Sequence, residues 1–95
     1  MMQLMETAWF NFEFFEHVPA RTRKSLLDRF AEWEASVDEL GGGRFRVNCY
    51  THKNHRRVGR MLLCPATSRI CTVTEAGGAA ELSLERYAGG TARLR

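Results

Sequence analysis

Hydrophobic spacing divides the chain into stretches of different period. Phe10, Phe14, Phe15 and Val18 recur at helical spacing, with Asn11, Glu13, Glu16 and His17 elsewhere on the wheel, and predict a first helix. Pro19 interrupts it, because proline lacks an amide proton and holds the preceding Val18 extended. From Ala20 the spacing predicts a second helix. Leu26, Phe30, Trp33, Val37 and Leu40 step by four and three residues, with Leu27 alongside, and form one apolar stripe. Good helix formers fill the gaps, and Gly41-Gly42-Gly43 accepts the left-handed geometry that ends a helix. The period then falls to two. Phe45, Val47 and Cys49 alternate with Arg44, Arg46, Asn48 and Tyr50, as on the two faces of a strand. Thr51–His55 is polar and turn-like. Arg57–Cys64 reads as a second strand whose end, Met61-Leu62-Leu63-Cys64, is apolar enough for burial on both faces. Pro65–Ser68 reads as a turn and Arg69–Thr74 as a third strand, broken by Gly77-Gly78. Met2–Thr7 reads as an opening strand or a helix lead-in, and Ala79–Ala88 as a short helix or an edge strand.

These elements predict a single α+β domain over residues 1–95, mainly helical in 1–40 and made of antiparallel strands in 44–74. One or two N-terminal helices then pack on one face of a small sheet of three to four strands. At 95 residues there is room for one core, and the 44% apolar content with ten aromatic rings is enough to build it, which excludes a disordered chain. No apolar run reaches the roughly 18–20 residues of a membrane span, and Glu6, Asn11, Glu13 and Glu16 interrupt any signal-peptide order. A cytoplasmic location without membrane contact is the expectation. Three cysteines (Cys49, Cys64 and Cys71), with no C-x-x-C pair, fit reduced thiols better than a disulfide framework.

Charge changes the picture more. The net +3 conceals a partition: residues 1–40 sum to −4, residues 75–95 to zero, and residues 41–74 to +7 without a single carboxylate. Solvated surfaces normally mix both signs. A one-sign field of Arg44, Arg46, Lys53, Arg56, Arg57, Arg60 and Arg69 suits a polyanion, and nucleic acid is the commonest one. Two alternatives stay open: the bases neutralise the acidic first half, or an acidic partner protein covers them. The face of the sheet away from the helices is where these bases are expected.

Three stretches resemble the RelE/ParE superfamily of small toxins, nearest to its HigB-like branch. They are Phe14-Phe15-Glu16-His17-Val18-Pro19-Ala20 with Ser25-Leu26-Leu27-Asp28-Arg29-Phe30, then Arg44-Phe45-Arg46-Val47, then Arg57–Leu63 followed by Arg69–Thr74. The resemblance implies mRNA cleavage at the ribosome, or gyrase poisoning in the ParE branch, with an acidic antitoxin as partner and no cofactor. Metal-free cleavage has the 2′-hydroxyl attack the neighbouring phosphate, so the protein supplies a base, an acid and cations. His52 and His55 are then the candidates for proton transfer, and Arg46, Arg56, Arg57 and Arg60 for charge stabilisation. Tyr87 is a further candidate acid.

Other chemistries remain. Cys49, His52, His55 and Cys64 are residue types that zinc accepts, although C-x2-H-x2-H-x8-C matches no common finger. Cysteines in apolar strands hold little thiolate for nucleophilic work. The alternative function is a binding module without catalysis, for example a phage-encoded inhibitor that blocks a larger protein or nucleoprotein machine. Exposed Trp9, Phe12 and Trp33 would be its anchors, since aromatic residues dominate interface energetics.

Overall fold

The computed structural model of the protein describes residues 8–78. In chain order these form strand β1 (Ala8–Phe14), helix α1 (Ala20–Glu32), strands β2 (Ser36–Gly41) and β3 (Arg44–Cys49), helix α2 (His52–Leu63), a short helix α3 (Pro65–Ser68) and strand β4 (Cys71–Gly78). The sheet has the order β2-β3-β1-β4, and all neighbours are antiparallel. The expected α+β class holds, and the connectivity is the split βαβ arrangement: each helix links two parallel strands with a third strand between them. The readings at Met2–Thr7 and Ala79–Ala88, and Tyr87 with them, lie outside the described residues.

Residues 8–14 alternate between full and half burial, so the first segment is a strand where helical spacing predicted a helix. Phe10, Phe12 and Phe14 share one face at period two, and the aromatic residues suit a central strand paired on both sides. Phe12 is wholly buried. It is stacked on Phe45 and meets Phe14 and Phe30 edge-on, which removes it as an exposed anchor. Leu26 and Phe30 of α1 and Val58 and Leu62 of α2 complete the core on this same face.

The second correction is the end of α1. The helix stops at Glu32 in a Schellman turn: Glu34 N–H bonds the Ala31 carbonyl at 3.0 Å and Ala35 N–H bonds the Phe30 carbonyl at 3.1 Å. Glu34 takes the left-handed position with φ of 63°, and Ala35 after it is buried in the core. Val37 and Leu40, which extended the helical stripe, sit in β2. The three glycines accordingly close a β2–β3 hairpin instead of a helix. Gly41 pairs with Arg44, leaving Gly42 (φ 64°) and Gly43 (φ 80°) as a two-residue loop with positive φ at both central positions.

The third correction concerns 51–64, predicted as a loop and a strand. These residues form α2, so the span 44–74 is not a strand meander. Thr51 is its N-cap and accepts from the Asn54 amide at 3.1 Å. His55, Val58, Gly59 and Leu62 are buried along one side. Extended Cys64 before Pro65 ends it. Within the stretches that resemble the toxin family, residues 25–30 are helical and 44–47 lie in a strand, while 57–63 belong to α2 instead of a strand.

Candidate nucleic-acid interface

Helix α2 collects four of the predicted bases. Lys53, Arg56, Arg57 and Arg60 follow at i, i+3, i+4 and i+7, and all four are exposed on the side opposite the buried stripe. Between Lys53 and Arg60 the helix rises about 10 Å. Across from this stripe, Trp33 stands half-buried at the end of α1, its ring tilted against Phe30. The Arg57 guanidinium lies over the Trp33 ring, 4.9 Å from its centroid. Together with Met61 and Cys64, these residues line an open groove of about 810 Å³. Its floor is apolar and its rim is cationic.

The remaining predicted bases go elsewhere. Arg44 and Arg46 project from β3 onto the open face of the sheet, away from the helices. They share that face with Glu13, Asp38 and Glu75, so the expected basic sheet face is in fact mixed in charge. Arg46 donates to the Asn11 side chain at 2.8 Å and stacks on Trp9 at 4.1 Å. Asn11 donates onward to Glu75, and Asn48 to Asp38 and Ser36. Arg44 turns back to the Gly41 carbonyl, and Arg69 is exposed at the end of α3. Six of the seven bases thus divide between the outer side of α2 and the open sheet face, and Arg69 stands at the end of α3.

Of the two histidines expected to transfer protons, His55 does not join the cations. His52 is the first residue of α2. His55 is 6% exposed and faces the core, on the side of the helix opposite Arg57. Among the described residues, no three His, Cys, Asp or Glu side chains are grouped so as to hold a metal ion. Cys49 is buried in β3, and Cys64 belongs to the groove wall.

Cys64 is the groove's titratable thiol. A hydrogen bond with the Thr67 hydroxyl at 3.2 Å holds its pKa below the usual thiol value against an opposing effect of burial, with smaller help from the Thr67 and Ala66 backbone. Burial pushes Cys49 and Cys71 up to about 12, with a smaller contribution at Cys71 from Cys64.

Of the groove-wall residues, Met61 is absent from the candidates that the sequence offers, whereas Trp33 enters there as an anchor of the binding-module alternative and Cys64 as a possible zinc ligand. The spacing of Trp33 assigns it to a helical core stripe. The local signal for the site is the 3.6-residue spacing of the bases from Lys53 to Arg60, behind an N-cap threonine. Compared with models of protein families, with curated proteins and with solved structures, the chain finds no match. Among the described residues, no helix is long and apolar enough to cross a membrane.

Proposed function

We propose that the protein is a small RNA-binding module that engages a phosphate backbone through the outer side of α2. The observation that carries this reading is the placement of Lys53, Arg56, Arg57 and Arg60 on one exposed helical stripe beside Trp33. Cationic side chains facing one direction neutralise successive phosphates and release their counterions, which supplies most of the sequence-independent affinity. Recognition fits the geometry better than cleavage does. A base must reach the proton it abstracts, and His55 faces the core while Arg57 faces solvent. The mixed-charge sheet face is a poorer polyanion surface, because its arginines sit among carboxylates.

The test is fluorescence anisotropy with a labelled RNA oligonucleotide across a salt series. If about three phosphates are engaged, log affinity falls with log salt at a slope of about −2, a loss of about twentyfold between about 50 and 200 mM. The double variant Lys53→Gln/Arg57→Gln should bind more weakly with a flatter slope, and Arg44→Gln on the opposite face should bind as the parent does. Absence of binding at low salt, or equal binding by the double variant, overturns the proposal. Shortened RNA in the same samples would instead favour the endoribonuclease reading.

A further inference from the structure

The α2 stripe explains attraction for phosphate but leaves the groove beneath it unexplained. A helix that only tracked phosphates would need no aromatic wall. Here the charged rim encloses Trp33, Met61 and Cys64, and the groove volume of about 810 Å³ falls in the range of ligand sites, about 300–1,000 Å³. Arg57 joins the two parts, being one of the stripe cations while its guanidinium lies over the Trp33 ring. A guanidinium held this way is a planar surface on which another π-system can stack, and nucleobases do so on both arginine and aromatic planes.

We infer that the groove receives one unstacked base of a single-stranded RNA, layered on the Arg57–Trp33 pair, while Lys53, Arg56 and Arg60 hold the flanking phosphates. This rests on the phosphate-binding reading of α2 and adds selectivity to it. A base inside a duplex is stacked on both sides and cannot enter the groove, whereas RNA loops and ends present free bases. The apolar floor does not rank bases by hydrogen bonding, so the site tolerates sequence and discriminates by strand state. Phe30 buttresses Trp33 at 6.1 Å between ring centres, which fixes the platform from the core side.

The experiment compares three RNAs of equal length and ionic strength with the full chain: a single strand, its blunt duplex, and the same strand with central abasic sites. The single strand should bind about tenfold more tightly than either of the others. Arg57→Lys keeps the charge and loses the plane, so it should retain the salt slope while the preference for the single strand narrows several-fold. With Trp9→Phe in place, Trp33 is the sole tryptophan, and its emission should be quenched by the single strand and unaffected by the abasic strand. Equal affinity for all three RNAs with the salt slope intact overturns the base-stacking inference and leaves phosphate binding standing. Unchanged selectivity in Arg57→Lys, or no quenching, also overturns it. Failure to bind any of the three overturns both readings.

Discussion

The Trp9 indole lies so closely over Gly77 that a Cβ at position 77 would collide with its Cε2, Cζ2 and Nε1 atoms. Trp9 and Gly77 face each other across β1 and β4, and the opposite side of the sheet is filled by Phe10 and its neighbours. The bare backbone of the edge strand thus gains an apolar cover. Gly77→Ala should destabilise the fold by about 1–3 kcal/mol, the range of an overpacked site. Most of that cost should vanish in a Trp9→Ala background, measured as a double-mutant cycle by urea denaturation. Equal costs in the two backgrounds would show that the ring is not the obstacle.

Arg23 closes the loop between β1 and α1. Its guanidinium donates to the carbonyls of Val18 (2.9 Å), Phe15 (3.1 Å) and Glu16 (3.3 Å) and lies over the Phe14 ring. Three acceptors around one guanidinium demand a fork of donors, which lysine lacks. Arg23→Ala should lower stability by about 1–3 kcal/mol, and Arg23→Lys should recover less than half of the loss. Full recovery with lysine, read from denaturation midpoints, would mean that charge alone holds the loop.

Glu34 is the single non-glycine residue among the described ones with positive φ. A left-handed L-residue costs about 1–2 kcal/mol relative to glycine, and Glu34 is exposed. Glu34→Gly should therefore raise stability, by about 1 kcal/mol after the extra entropy of glycine in the unfolded chain. A lowered melting temperature would contradict the Schellman geometry at the end of α1.

The thiols should separate by pH. Cys64 ionises below the usual thiol value through Thr67, so its alkylation rate should reach its midpoint at a lower pH than a model thiol, and Thr67→Val should shift that midpoint upward. Cys49 and Cys71, raised to about 12 by burial, should resist labelling until the protein unfolds. Their sign is the opposite one. Because the folded state holds these protons more tightly, the stability they contribute is complete below about pH 9 and declines between about 9 and 12. The slope is about 1.4 kcal/mol per pH unit for each thiol. Denaturation curves at several alkaline pH values check this, and Cys71→Ala should flatten the decline.

Several features are readable from residues alone. The α+β class, the core of α1 around Leu26 and Phe30, strand β3 and the first half of β4 follow from local period, whereas β4 runs on through residues 75–78 beyond the expected end at Thr74. The concentration of positive charge between residues 41 and 74 is likewise a property of composition. The rest needs partners distant in the chain. Phe10, Phe12 and Phe14 satisfy a strand period and Phe10, Phe14 and Val18 a helical one; pairing of β1 with both β3 and β4 decides between them. Val37 continues the α1 stripe in sequence, but the turn at Glu34 redirects it against Val47. Segment 52–63 has enough apolar residues for a buried strand, yet only as a helix does it place His55, Val58 and Leu62 inward and its bases outward. The groove depends most on tertiary structure. Trp33 and Arg57 lie on either side of a hairpin in the chain, and no local pattern encodes their contact, since it arises only when both helices pack on the same face of the sheet.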